Sequence, residues 1–157
     1  MKSFTKAFLI IAALLGLLGG CEVSSKTVSS SKSISSQTTR KPSESKQSTL
    51  SVDDIIAKID KECRNNVGKA YQGYEVYHTD EGNHFVIVKI SADGCAYACA
   101  TNSKEWKELT SSATDFSSKV SKYFTNNGHS KWHVTVRVLN DLYKDDVLFA
   151  VIDGTVV

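Results

Sequence analysis

A polar segment confines the folded part of this 157-residue chain to the region after residue 50. Fifteen of the 29 residues in the segment 22–50 are serine or threonine, and only four are apolar. Such a composition cannot bury enough apolar surface to offset the entropy that ordering would cost. We therefore expect residues 21–50 to form a disordered tether between a short leader, residues 1–20, and a small folded domain, residues 51–157.

Net charge differs between the tether and the domain. The segment 22–50 carries five basic and two acidic residues, a net charge of +3, whereas residues 51–157 carry 12 basic and 15 acidic residues, a net charge of −3. The domain therefore lacks the excess of lysine and arginine with which proteins bind phosphate backbones. We expect no nucleic-acid partner.

The leader has the pattern of a secretion signal. Lys2 and Lys6 precede a twelve-residue apolar run, 7–18, and two glycines follow it. A helix needs about 20 apolar residues to span a bilayer, so this run is too short to be a stable membrane helix. We expect it to be a signal peptide that is removed.

The leader ends in the sequence Leu18-Gly19-Gly20-Cys21, which resembles the lipobox of bacterial lipoproteins. That family usually has alanine, serine or threonine where this chain has Gly19. The resemblance implies that the signal is cleaved between Gly20 and Cys21 and that the thiol of Cys21 carries a diacylglycerol. The mature protein would then be anchored in the lipid bilayer through acylated Cys21, on the extracytoplasmic face of the cell membrane. The alternative is an ordinary secretory signal with a chance cysteine, and the resemblance covers residues 1–21 alone.

Helical and strand periodicities follow each other through the domain. Ser51 and Asp54 form a box-like N-terminal cap for a helix that we expect to end near Asn65 and Asn66. A longer amphipathic helix is predicted to be capped by Asn102 or Ser103 and to stop at Asn126-Asn127-Gly128. Alternating or continuous apolar residues predict strands near 74–79, 84–90, 132–139, 147–152 and 155–157.

The order of these elements predicts the fold class. The segment 95–99 is ambiguous, either a third short strand or the lead into the next helix, so the order is α-β-β-(β)-α-β-β. Helices with one apolar face bury that face against a sheet. We predict an α+β domain with two helices packed on one face of a mainly antiparallel sheet. The nearly continuous apolar run at 84–90 predicts a strand covered on both faces, or on one face with a dimer contact on the other.

Three cysteines lie in the domain. Disulfides form outside the cytoplasm, and Cys63 lies on the apolar face of the first predicted helix. We expect one bridge, from Cys63 to Cys95 or to Cys99. The alternative is three small buried side chains, and the unpaired cysteine could also be a free thiol.

The four histidines do not form a convincing metal motif. His129 and His133 have the i, i+4 spacing that suits zinc on a helix, but Gly128 ends the helix before them. His78 and His84 flank a predicted turn and could approach each other across a hairpin. We expect no metal site and no cofactor.

The motifs of common hydrolases and nucleotide-binding enzymes do not occur in this sequence, and we expect no catalytic residues. We favour a non-catalytic binding or interaction module at the cell surface, with a protein or envelope partner that docks on an exposed sheet face or edge strand. Two alternatives stay open. One is a surface exclusion or defence lipoprotein, for example against phage DNA entry; the other is a small envelope hydrolase with an unrecognised site.

Overall fold

The computed structural model describes residues 49–143 and 145–157. The predicted signal peptide, the cleavage site at Gly20 and Cys21, and nearly all of the predicted tether lie outside the described residues. Within the part that is described, no helix has the length and apolar character needed to cross a membrane.

The described residues form three α-helices and five strands in the order α1-β1-β2-α2-α3-β3-β4-β5. A short 3₁₀ turn, Gly68–Ala70, joins α1 to β1. The bounds of the elements are α1 Val52–Val67, β1 Tyr71–His78, β2 His84–Ile90, α2 Cys95–Ala100, α3 Lys104–Asn126, β3 Trp132–Leu139, β4 Val147–Ile152 and β5 Thr155–Val156.

Both long helices begin at serine caps, which confirms Ser51 for α1 and selects Ser103 over Asn102 for α3. The Ser51 hydroxyl accepts a hydrogen bond from the Asp54 N–H at 3.2 Å and donates one to the Asp54 carboxylate at 2.6 Å. The Ser103 hydroxyl accepts from the Trp106 N–H at 3.2 Å. These bonds satisfy backbone donors that have no partner inside the first turn of a helix. Helix α1 ends one residue before Gly68, whose positive φ of 57° favours glycine.

The five strands form one sheet in the order β1-β2-β3-β4-β5. Neighbouring strands are antiparallel except β2 and β3, which are parallel. Parallel strands need a long crossover connection, and α2 and α3 supply it here. The structure confirms the predicted α+β class with a mainly antiparallel sheet.

The core lies between one face of the sheet and the helices α1 and α3. We call this the covered face. Its valines align across the strands, with Val86 opposite Val134 and Val88 opposite Val136, and all four are fully buried. They belong to the same buried cluster as Ile55 of α1 and Phe124 of α3, among others.

A carboxylate ties α1 to the start of the edge strand β1. Asp60 accepts hydrogen bonds from the Tyr71 hydroxyl at 2.7 Å and from the Arg64 guanidinium at 2.8 Å. The bond from Arg64 is the main reason that the pKa of Asp60 lies below its usual value, and the bond from Tyr71 adds to it. This pair of bonds fixes the end of β1 that is nearest α1.

The structure resolves the ambiguity at 95–99, because this segment is the helix α2 and not a strand. It also corrects the cysteine prediction: Cys63, Cys95 and Cys99 are all free thiols, and no bridge joins them. Cys63 of α1 and Cys95 of α2 both belong to the buried core cluster, and α2 packs on α3 and β4. Cys63 and Cys95 are buried as small apolar side chains, and Cys99 is partly exposed.

Candidate functional site

The face of the sheet opposite α1 and α3, which we call the open face, carries most of the exposed aromatic and charged side chains of the central strands. Its residues alternate along the strands with the buried valines of the covered face. They form cross-strand rows in the observed register: Tyr77, Phe85 and His133; Glu75, Ile87 and Thr135; and Lys89 with Arg137.

The first row is a line of neighbouring rings, tilted at one end and stacked at the other. The ring centroids of Tyr77 and Phe85 are 6.3 Å apart, and those of Phe85 and His133 are 5.1 Å apart with an interplanar angle of 28°. Tyr77, at the outer end, is 57% exposed. Aromatic pairs of this kind contribute about 0.5–1.5 kcal/mol each, and the row presents a continuous aromatic surface.

An aspartate of the last hairpin orients the histidine at the inner end of this row. The Nδ1 atom of His133 lies 2.6 Å from Oδ2 of Asp153, and Oδ1 of Asp153 accepts the Val134 N–H at 2.9 Å. The carboxylate favours a proton on Nδ1, which leaves Nε2 as the ring nitrogen for another partner. Asp153 lies 20 positions from His133 in the sequence, so sequence spacing does not predict this pair.

Carboxylate–histidine pairs also occur in catalytic triads, where the second ring nitrogen meets a hydroxyl or thiol. Among the described residues, no hydroxyl or thiol is hydrogen-bonded to Nε2 of His133, whose recorded side-chain bond is the one to Asp153. The pair as it stands can therefore hold a ring in place and offer one hydrogen-bonding nitrogen to a ligand.

A shallow hollow of about 440 Å³ lies on the open face between β1 and β3. Ile87, on the middle strand, forms its apolar floor, and Glu75, Val76, Tyr77 and Arg137 complete its lining. The Glu75 carboxylate forms an ion pair with Lys89. The Arg137 guanidinium has no recorded hydrogen-bond or ion-pair partner in the described part of the chain, so the hollow presents a positive charge that its neighbours do not neutralise.

His78 and His84 lie close to each other across the hairpin between β1 and β2, as expected. The Nδ1 atoms of His78 and His84 are 2.6 Å apart. The His84 ring stacks on Trp132, with centroids 4.9 Å apart, and Trp132 stacks on Phe124 at 5.6 Å. No group of three or more possible metal ligands occurs among the described residues.

His129 and His133 are not neighbours on a helix, since α3 ends before both of them. His129 lies in the turn before β3, where its Nε2 is 2.8 Å from the Leu50 carbonyl oxygen. Their i, i+4 spacing therefore does not bring the two rings to one site, as the glycine before them predicts.

A distant carboxylate caps the short helix α2. Asp141, in the loop after β3, accepts hydrogen bonds from the Gly94 N–H at 2.6 Å and the Ala96 N–H at 2.8 Å. Burial by itself raises the pKa of Asp141, but these two bonds outweigh it and the pKa lies below the usual value. Gly94 has no side chain with which to cap its own helix, and nothing in the local sequence indicates that residue 141 supplies the cap.

No protein-family model, curated protein or solved structure matches this chain. The predicted lipidation site, Cys21, lies outside the described residues. The predicted disulfide of the domain is not formed, because Cys63, Cys95 and Cys99 are free thiols. Among the described residues, the open face brings together the aromatic row, the pair of His133 with Asp153, and the hollow beside Arg137.

Proposed function

We propose that this chain is a membrane-anchored extracytoplasmic lipoprotein whose domain is a non-catalytic binding module. The lipobox-like segment that ends at Cys21 supports the anchor. The observation that carries the proposed binding role is the open face, where stacked rings and an unneutralised arginine surround a hollow with an apolar floor.

The composition of the open face supports a protein as the partner. Tyrosine, phenylalanine and arginine are enriched at protein interfaces, because each has a large apolar contact area, to which tyrosine and arginine add a polar end. Tyr77 and Phe85 supply such an area beside the hollow, and Arg137 supplies a planar donor group that fits a carboxylate. We propose that the partner is a protein that places an acidic side chain against Arg137.

The predicted tether supports the same proposal. As a flexible coil, 29 residues reach on the order of 30 Å, and fully extended they reach roughly 100 Å. A domain held in this way could meet a partner at a distance from the membrane surface. A surface exclusion protein would be a special case of this proposal, since exclusion also requires docking on a partner.

The anchor is tested by replacing Cys21. Metabolic labelling with a radioactive fatty acid is expected to mark the wild-type chain and the Cys99→Ser variant, and to leave Cys21→Ser unlabelled. Cys99→Ser is the matched control, because it removes a thiol from the domain instead of the lipobox. Normal lipid labelling of Cys21→Ser would contradict the proposed anchor.

The binding face is tested by photo-crosslinking in native membranes. A photoreactive phenylalanine analogue at Tyr77 is compared with the same analogue at Tyr143, which is a tyrosine of similar exposure, 67% against 57%, outside the open face. We expect a crosslinked partner from position 77 that is absent from position 143 and is lost when Arg137→Gln is added. A crosslink that persists unchanged in Arg137→Gln, or equal crosslinks from both positions, would contradict the proposed docking surface.

A further inference from the structure

We propose that His78 and His84 form a two-histidine site for a divalent transition-metal ion, and that Cu²⁺ is the ion that fits it best. The two rings lie at the end of the hairpin between β1 and β2, and neither of them lines the hollow of the open face. The proposal therefore does not depend on the proposed partner of Arg137. It rests on the positions of two ring nitrogens, on the groups that hold the rings, and on the distance between the nitrogens.

The two rings direct one nitrogen each toward the same point. The Nδ1 atoms of His78 and His84 are 2.6 Å apart, and the ring planes are inclined at 80° with their centroids 4.8 Å apart. A neutral imidazole has one N–H and one nitrogen with a free lone pair, so at this distance the two Nδ1 atoms share one proton. When that proton leaves, two lone pairs converge on the space between the rings. Converging imidazole nitrogens are ligands that suit Cu²⁺, Ni²⁺ and Zn²⁺.

The hairpin and β3 hold the two rings in place. His78 ends β1 and His84 begins β2, and the two residues are directly opposite each other in the register. The Thr79 N–H donates to the Asn83 carbonyl at 2.9 Å, which closes the turn just beyond the pair. The His84 ring also stacks on Trp132, with centroids 4.9 Å apart. Ligands that are positioned before the metal arrives lose little conformational freedom when they bind it.

The distance between the two nitrogens favours a right angle at the metal. Metal–imidazole bonds are about 2.0–2.1 Å long, so the nitrogens are about 2.9 Å apart at a right angle and about 3.3 Å apart at a tetrahedral angle. The observed 2.6 Å is closer to the first value. Tetragonal coordination by nitrogen and oxygen is typical of Cu²⁺, which also binds such ligands most tightly among the first-row divalent ions. Since no group of three possible metal ligands occurs in the described part of the chain, water would fill the remaining positions.

The surroundings of the pair admit a cation. The turn carries two exposed carboxylates, Asp80 and Glu81. One ammonium group opposes them, because a Cβ atom at Gly82 would lie 3.6 Å from Nζ of Lys131. The His78 side of the pair is exposed to solvent, so an ion can reach the two nitrogens without any movement of the backbone.

Fluorescence of Trp132 tests the site, because Cu²⁺ bound to His84 would lie beside the stacked indole and quench it. The parent is the detergent-solubilised full-length chain with Cys99→Ser, which removes the partly exposed thiol, and Trp106→Phe, which leaves Trp132 as the single tryptophan. We expect Cu²⁺ to quench the parent until one ion is bound per chain. His78→Gln and His84→Gln should each lose most of this quenching.

His129→Gln is the matched control for these two variants. The His129 ring also lies near the stack of Phe124 on Trp132, with its centroid 6.5 Å from that of Phe124, but its Nε2 faces the Leu50 carbonyl oxygen at 2.8 Å. We expect this variant to be quenched like the parent. Equal quenching of His78→Gln and the parent, or a parent that Cu²⁺ does not quench, would overturn the proposal.

Electron paramagnetic resonance of the bound Cu²⁺ gives a measurement that does not depend on tryptophan. We expect hyperfine coupling to two imidazole nitrogens in the parent and the loss of this coupling in His78→Gln. The melting temperature of metal-free His78→Gln should be unchanged, since this side chain is exposed. A parent spectrum without coupling to two nitrogens would also overturn the proposal, because the pair would then hold a proton and not a metal.

Discussion

The two faces of the sheet differ although they are built from the same strands. In β2 and β3 the valines at 86 and 134 are fully buried under the helices, while their chain neighbours Phe85 and His133 lie on the open face and stack on each other. The comparison teaches that every second residue of these strands holds the domain together. The residues between them do not pack under the helices: most are partly exposed, although Ile87 and Thr135 are buried, and the aromatic and charged side chains among them need another explanation.

The energetics of the two faces support this division. Burying a large apolar side chain contributes about 1.5–3 kcal/mol to stability, and the covered face contains many such side chains. An exposed ion pair such as that of Glu75 with Lys89 contributes about 0–1 kcal/mol. Changes on the covered face should therefore unfold the protein, whereas changes on the open face should alter binding.

The largest expected effect comes from Phe124, which is fully buried on α3 and stacks on Trp132. Phe124→Ala is expected to lower the free energy of unfolding by about 3–5 kcal/mol, because it leaves a cavity in the core. Tyr77→Ala, the matched change on the open face, should alter it by less than about 1 kcal/mol. Urea denaturation of both variants measures the difference, and similar losses would mean that the open face is also structural.

A smaller effect is expected where the last hairpin closes over the covered face. A Cβ atom at Gly154 would lie 2.8 Å from Cβ of Ser118 on α3, whereas one at Gly128 would meet nothing within 4 Å. Both glycines have nearly the same positive φ, 85° and 84°. Gly128→Ala should cost about 1–2 kcal/mol through backbone strain, and Gly154→Ala should cost about 1–3 kcal/mol more because it overfills the contact.

Thermal melting of the two alanine variants measures this second difference. Equal losses of stability would show that the hairpin can move away from α3 without cost. The covered face would then end at β4, because β5 and the turn before it would not be packed against α3.

The elements that the sequence predicts well depend on neighbouring residues. The cap at Ser51 and the apolar run at 84–90 act within a few positions, and the structure has them as predicted. Of the two caps that the sequence allows for the long helix, Asn102 or Ser103, the structure has Ser103. The segment 95–99 could not be assigned locally, because its helix is capped by Asp141, which lies 47 positions from Gly94 in the sequence. The cysteine prediction failed for a related reason, since periodicity indicates which way Cys63 faces but not which element it meets.

The candidate site was predictable only in part. The alternation of β1 places Glu75 and Tyr77 on the same face, and this is confirmed. The rows that make the site depend on the parallel pairing of β2 with β3, which brings Phe85 beside His133. No local pattern indicates that two strands separated by two helices pair in this register, so the aromatic row and the hollow emerge only in the folded sheet.

The capping of α2 by Asp141 contributes to the stability of the domain but lies on neither face of the sheet. Asp141→Ala is expected to lower the free energy of unfolding by about 1–2 kcal/mol at neutral pH, since it removes a helix cap. Asp145→Ala, in the same loop, is the control and should have little effect. Because the pKa of Asp141 is lower in the folded protein than the ordinary value, its stabilisation is present above the unfolded pKa, about 3.9, and is lost as the pH falls through the folded pKa.

Urea midpoints of wild type and Asp141→Ala at neutral and strongly acidic pH measure this dependence. The difference between the two proteins should shrink at acidic pH, where the carboxylate of Asp141 becomes protonated in wild type. A difference that stays constant with pH would show that Asp141 acts through packing and not through its charge.

The smallest perturbation is chemical labelling of the native thiols, which leaves the fold intact. Burial raises the pKa of Cys63 to about 12 and also raises the pKa of Cys95, so both thiols are scarcely ionised at neutral pH. Alkylation requires the thiolate and access to it. We therefore expect Cys99, which is partly exposed, to react first, and Cys63 and Cys95 to react only as the covered face opens.

The control for this labelling is Cys99→Ser, which should lack the fast-reacting thiol and keep the two slow ones. Peptide mapping by mass spectrometry without reduction identifies each labelled position. A peptide in which Cys63 is joined to Cys95 or Cys99 would restore the bridge that the sequence predicts and contradict the three free thiols. If instead Cys63 reacts no faster than global unfolding allows, the covered face is closed by apolar packing and requires no covalent link.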